Sequence, residues 1–223
     1  MLEKISQNIS GFISEGNGSN VFLVKGSEEI ALIDSSAASN TSNVLSMLSG
    51  QGLSPSDVSL ILHTHCHADH IGCTTLFSNA RTAMHKADAK AVNNKDSSIT
   101  CANFFPGLAF PKITEFLSNS QVIDLGAIKL KVIHTPGHTQ GSLCFFEENQ
   151  GLLFSGDTLF KNGFGRADLP TGSRTALVKS LELLEKLPFK MLLPGHGPIL
   201  EGLADNRKNL KSMLKAAKTS AFL

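Results

Sequence analysis

Residues 64 to 70 read Thr64-His65-Cys66-His67-Ala68-Asp69-His70. In extended backbone alternate side chains share a face, so His65 and His67 can address one cation. Asp69 and His70 follow where the chain should turn into a helix, able to face a second cation beside the first. Imidazole and carboxylate donors suit zinc, with iron or manganese also compatible. Three further candidates stand alone, each beside glycine, which lets backbone turn sharply. His138 lies in Thr135-Pro136-Gly137-His138-Thr139, Asp157 in Ser155-Gly156-Asp157-Thr158 and His196 in Leu193-Pro194-Gly195-His196-Gly197. Two divalent ions about 3.5–4 Å apart can clamp a water and bring its pKa from about 15.7 towards roughly 7. The resulting hydroxide is the expected nucleophile, and either ion can polarise a carbonyl. A closed structural zinc site would use four ligands, usually including Cys.

Such a cluster needs strands that end at a common edge. Val58–Leu62 has the apolar run of a buried strand and leads directly into the histidine segment. Ile128–Ile133 alternates with Lys129 and Lys131, as a half-exposed strand does, and precedes His138. Leu143–Phe146 and Leu152–Phe154 form a strand pair before Asp157, and Met191–Leu193 a short strand before His196. Asn20–Val24 and Ile30–Ile33 read as strands joined at Lys25-Gly26-Ser27. Helices are expected over Asn43–Leu48, from a Ser173 cap to Leu187 with Leu177, Leu181 and Leu184 on one face, and over Ala204–Lys218. Strands interleaved with helices predict a layered α/β domain occupying residues 1–223. Asn93–Pro111 is the least regular stretch. With Phe104, Phe105 and Phe110 it is either a rim of the site or a small apolar cluster under a loop.

The chain has 223 residues, 41% hydrophobic and 17% charged, with 20 Lys and Arg against 19 Asp and Glu. That suits a packed core and excludes a disordered chain. The balanced charge argues against nucleic acid as partner. No apolar run reaches the roughly 18 residues of a membrane helix, and Met1–Gln7 lacks an apolar signal core. The 4 cysteines form no C-x-x-C pair and read as reduced thiols in a cytoplasmic protein. There is no Tyr and no Trp, and all 14 aromatic side chains are Phe, so no phenol can serve as an acid. A small-molecule substrate is the expected partner; oligomeric state is not legible.

His65, His67, Asp69 and His70 resemble the His-x-His-x-Asp-His signature of the metallo-β-lactamase superfamily. His138, Asp157 and His196 match its remaining ligand positions in order, and Asp34, ending the Ile30–Ile33 strand, matches an early aspartate. The resemblance spans roughly Asn20 to Pro198. It implies an αβ/βα four-layer sandwich, two mixed sheets between helical layers, with the site at one edge. It implies that His65, His67 and His138 hold one metal, that Asp69, His70 and His196 hold the second, and that Asp157 bridges them. Asp69 and Asp157 are then the catalytic carboxylates, and Asp34 either orients a ligating histidine or serves as a simple cap.

Within the superfamily, Ser155–Phe160 and Gly165-Arg166-Ala167-Asp168-Leu169-Pro170 resemble the glyoxalase II-like hydrolases, which cleave thioesters. The short stretch after His196 and the missing tyrosines depart from the glutathione-binding members, so another small acyl thioester or ester is as compatible. Thr-His-Cys-His-Ala-Asp-His also resembles the persulfide dioxygenases, which would use one iron. A non-enzymatic metal-binding module is the alternative of another class. Arg166 is a substrate contact or a surface partner of Asp168, and Phe104 and Phe105 are candidate acyl contacts. His63, His85 and His134 read as structural, and Cys66 faces away from its neighbouring histidines.

Overall fold

The computed structural model describes residues 2–219; the two ends of the domain expected over 1–223 lie outside it. In chain order the elements are β1 (Leu2–Lys4), β2 (Ile9–Phe12), β3 (Val21–Lys25), β4 (Ile30–Ile33), α1 (Thr41–Ser49), β5 (Leu60–Leu62), α2 (Ala68–Ile71), β6 (Arg81–His85), α3 (Lys86–Asn93), β7 (Glu115–Leu117), β8 (Val122–Asp124), β9 (Lys129–His134), β10 (Leu143–Glu147), β11 (Leu152–Gly156), α4 (Arg174–Leu184), β12 (Met191–Pro194), β13 (Leu200–Glu201) and α5 (Leu203–Thr219). The strands form two mixed sheets, one in the order β1 to β7 and one in the order β13-β12-β11-β10-β9-β8. Parallel pairing is confined to β4-β5-β6-β7 in the first and β11-β12 in the second.

Burial follows from the residue patterns. Strands β4 and β5, Ile-Ala-Leu-Ile and Leu-Ile-Leu, are apolar on both faces because each face is covered. Between the sheets lie Phe22, Ile33 and Leu62 from one and Leu130, Phe154 and Leu193 from the other. Outside the first sheet α1 packs through Val44, Met47 and Leu48; outside the second α4 and α5 pack through Leu177, Leu181, Leu184, Leu210 and Leu214. The result is the four-layer α/β sandwich that the resemblance implies. Ser173 caps α4, its hydroxyl accepting from the Ala176 N–H at 3.3 Å. The fifth strand begins later than Val58, because Pro55–Asp57 forms a helical turn that runs into it. Asn93–Pro111 divides: Phe110 packs beside the small core of Cys66, Met84 and Val92, while Phe104 is exposed. No described helix is long and apolar enough to cross a membrane.

The inter-sheet core is expected to carry the stability of the sandwich. Phe154 is fully buried and meets Phe22 edge to face at 5.4 Å. Phe154→Ala should destabilise the metal-free protein by about 3–5 kcal/mol in urea unfolding. A loss under about 1 kcal/mol would mean the two sheets do not share one packed core.

Candidate metal centre

Four strand ends supply the cluster. The segment after β5 presents His65 and His67, α2 carries Asp69 and His70, and the loops after β9, β11 and β12 present His138, Asp157 and His196. Their donor atoms fall into overlapping groups: His65, His67 and His138; His65, His70 and Asp157; and Asp69, His70 and His196, each group within 4.8 Å. His67 Nδ1 lies 3.1 Å from His65 Nε2 and 2.9 Å from His138 Nε2. His196 Nε2 lies 3.2 Å from His70 Nε2 and 3.1 Å from Asp69 Oδ2. Asp157 stands between the groups, with Oδ1 3.3 Å from His70 Nε2 and Oδ2 3.5 Å from both His138 and His196. All are buried except Asp69 and His196, which are partly exposed. Gly195 makes room for this approach: a side chain there would strike Asp157 Oδ1 and the His70 ring.

The opposite nitrogens of the rings are held by the fold, which fixes the tautomers. Asp34 is buried at the end of β4. It accepts from the Thr64 N–H and the Thr64 hydroxyl, both at 2.8 Å, and from His70 Nδ1–H at 2.8 Å. Since the single hydroxyl proton of Thr64 goes to Asp34, its oxygen accepts from His65 Nδ1–H at 3.1 Å. The Arg166 carbonyl accepts from His138 Nδ1–H at 2.7 Å. Nε2 of His65, His70 and His138 is thereby left as a lone pair directed into the cluster. Converging lone pairs at these separations repel one another unless a cation or a proton lies among them. That donor set, nitrogen and oxygen without sulfur, fits one or two divalent cations.

Shared protons divide unevenly among the same donors. Burial pushes His65 well below the usual imidazole range, and burial with neighbouring His138 brings His67 to about 3. Burial also opposes charge on His70, but Asp157, Asp34 and Asp69 outweigh it and hold His70 well above its usual range. Burial would raise Asp157 and Asp69, yet the surrounding histidines hold both below the carboxylate range. Asp157 Oδ1 nevertheless accepts no hydrogen bond in its buried position.

A pocket of about 360 Å³ opens on the cluster, walled by Phe104, Phe105, Phe160, Phe164 and Leu169, with Cys101 and Arg166 beside them. Phe110 is not among them. The Arg166 guanidinium is exposed and pairs with Asp168 through two hydrogen bonds of 3.0 and 2.6 Å. Cys66 points elsewhere, its thiol buried against the Ile99 carbonyl. His63 adjoins Asp34 and Thr74. His85 caps α3 and stacks on His134 at 4.2 Å.

Sequence reasoning missed Asp88. Buried in α3, it accepts from the Cys66 N–H at 3.0 Å, the Thr139 hydroxyl at 2.7 Å and the Gly141 N–H at 2.8 Å. It thus ties the loop of His65 and His67 to the loop of His138. Its sequence neighbour His85 was the more conspicuous residue, and only the contact across 51 positions to Thr139 reveals the carboxylate.

Burial would raise Asp34, but His70 and His63 bring its carboxyl down to about 2 from an ordinary 3.8. A depressed carboxyl contributes stability that is complete above its unfolded pKa and fades as pH falls towards the folded one. Asp34→Asn should therefore cost the metal-free protein roughly 2 kcal/mol at neutral pH. The difference from wild type should shrink as pH falls from 3.8 towards 2 in urea unfolding. The same variant should weaken zinc binding about 10–100-fold in chelator competition. Unchanged affinity would remove Asp34 from the positioning of His65 and His70.

Comparison with known proteins agrees with this architecture. The family model of the metallo-beta-lactamase superfamily matches residues 15–196. The chain is 35% identical over 197 residues to the probable metallo-hydrolase MJ0888 of Methanocaldococcus jannaschii, covering 85% of this chain and 92% of that one. It is 28% identical over 214 residues to the acyl-coenzyme A thioesterase MBLAC2 of Homo sapiens, covering 83% and 75%. Among solved structures, TTHA1623 in a di-iron-bound form superposes with a TM-score of 0.72 at 29% identity, over 89% of this chain and 97% of that one. The metallo-beta-lactamase family protein TTHA1429 from Thermus thermophilus shares the fold, with a TM-score of 0.83 at 20% identity over 96% and 81%. With that family model covering most of the chain, including the whole His/Asp cluster, this chain belongs to the metallo-beta-lactamase superfamily.

Proposed function

We propose that the protein hydrolyses acyl thioesters, in the manner of the glyoxalase II-like hydrolases, with two divalent cations at the His/Asp cluster. The observation that carries this reading is the second donor group. Asp69, His70 and His196 converge as closely as His65, His67 and His138 do, with Asp157 between them. In this reading His65, His67 and His138 would hold one cation, Asp69, His70 and His196 would hold another, and Asp157 would serve both. A mononuclear dioxygenase would leave the Asp69 and His196 pair without a task. Zinc suits the donors best, and the di-iron form of TTHA1623 makes iron the second candidate.

Cations so held supply a nucleophile from water at neutral pH and Lewis acidity for the acyl carbonyl. The protein supplies position and charge. Thr64, Asp34 and the Arg166 carbonyl keep three imidazoles in the tautomer that faces the cluster. Asp69 and Asp157 are the catalytic carboxylates: depressed in pKa, they remain ionised and accept from the attacking water. For the same reason neither can protonate a leaving group. A new bond joins the water oxygen to the acyl carbon, and the carbon–sulfur bond breaks with its electron pair on sulfur. The products are a carboxylate and a thiol, with one proton released. A thiol of pKa about 8.5 leaves as thiolate without an acid, whereas an amine does not. Phe104, Phe105 and Phe164 offer an apolar wall for the acyl group, and the exposed Arg166, paired with Asp168, stands at its rim. The acyl-coenzyme A thioesterase named among the relatives supports the thioester class. Four buried free cysteines fit a reducing compartment such as the cytoplasm.

The test is kcat/KM of metal-loaded protein on a thioester, an ester and a lactam built on one acyl group. The thioester should be fastest, and the lactam should trail by about 10²–10⁴-fold, the contribution of a general acid. A faster lactam, or consumption of a persulfide with oxygen and of nothing else, would overturn this function.

A further inference from the structure

Beside the cluster lies a second, larger cleft of about 560 Å³, within the usual range for ligand sites. Its wall is shared: Phe164, Gly165 and Arg166 line both this cleft and the pocket over the donors. The loop 161–172 forms one side, and α4 and α5 form the other through Leu177, Met213 and Ala216. Phe164, Ala167 and Met213 are the half-buried skin of the core beneath the second sheet, so the cleft is an apolar surface left open to solvent. The two guanidiniums that border it already have partners. Arg166 binds Asp168, and Arg174 Nε–H donates to the Ala217 carbonyl at 2.9 Å. A polar ligand would find little to bind, whereas a hydrocarbon would displace water from apolar walls. Met213, unbranched and adaptable, suits chains of differing length.

We propose that this cleft receives the hydrocarbon tail of the acyl group, which runs from the carbonyl over the His/Asp cluster, past Phe164, to Met213 and Ala216. The inference rests on the thioester reading above and makes the substrate class a medium- or long-chain acyl thioester. Loop 161–172 then sets chain length with its Phe164 face while its Arg166 carbonyl holds His138.

Two measurements test it. Metal-loaded protein is assayed on butanoyl- and dodecanoyl-coenzyme A, and metal-free protein is titrated with cis-parinaric acid, a fluorescent fatty acid. Wild type should favour the dodecanoyl substrate in kcat/KM by at least about tenfold, the gain from burying as few as two methylenes. It should also bind the probe saturably. Ala216→Trp, which fills the cleft from a half-exposed position, should cut both the preference and the probe affinity about tenfold at unchanged metal content. Should that variant fail to fold, Met213→Lys, placing a charge in the same wall, is expected to do the same. Equal kcat/KM for the two substrates with no probe binding would overturn the cleft assignment and leave thioester hydrolysis standing. If no acyl-coenzyme A is cleaved at all, the thioester reading fails. Probe binding sensitive to Ala216→Trp would then uphold the cleft as an alkyl-chain site, and its absence would overturn that too.

Discussion

A buried carboxylate governs the site. Asp34 is shielded from water between β4 and the segment after β5, and an ionised group there must be fully hydrogen-bonded or it would not remain charged. Its partners are Thr64 and His70, and through Thr64 it also reaches His65. Satisfying one charge therefore aims two imidazoles, one before α2 and one within it, at the same space. The parallel pairing of β4 with β5 is what places Asp34 beside Thr64. The sheet is thus the first positioning element of the centre, and the hydrogen bonds are the second.

Comparable ties act from the second half of the sandwich and from α3 beside the first sheet. The Arg166 carbonyl fixes His138, and buried Asp88 joins the loops that carry His65, His67 and His138. The donors thus come from both halves of the sandwich, and each half brings a carboxylate or carbonyl that keeps its histidines from turning away. Such outer partners raise ligand basicity and pre-set geometry, which lowers the cost of binding a cation.

The His65–His70 segment was legible because its information is local: alternation in extended backbone and a turn into α2 suffice. His138, Asp157 and His196 were legible because each sits beside glycine just after an apolar strand. The central strands β4, β5, β10 and β11 were legible from their apolar runs. Other parts were not. Ile9–Phe12 carries Ser10 and Gly11 and does not read as a strand, yet the Phe22 ring occupies the space that a Gly11 side chain would need. Strands β7 and β8 are three residues each and turn Phe116 and Val122 to solvent while Leu117 and Ile123 face the core, so apolar side chains on both faces hide the alternation. Asp88, the Arg166 carbonyl and the cleft along α5 depend on contacts between distant residues, and no local pattern encodes them.

In the proposed dinuclear centre Asp157 would serve both donor groups. The most direct test is titration of the metal-free protein with zinc, followed by metal analysis after gel filtration, for wild type and Asp157→Ala. Two equivalents per chain for wild type, and one or fewer with weakened affinity for the variant, are the expected results. One equivalent in wild type at saturation, or two tightly held equivalents in Asp157→Ala, would contradict a dinuclear centre built around that carboxylate.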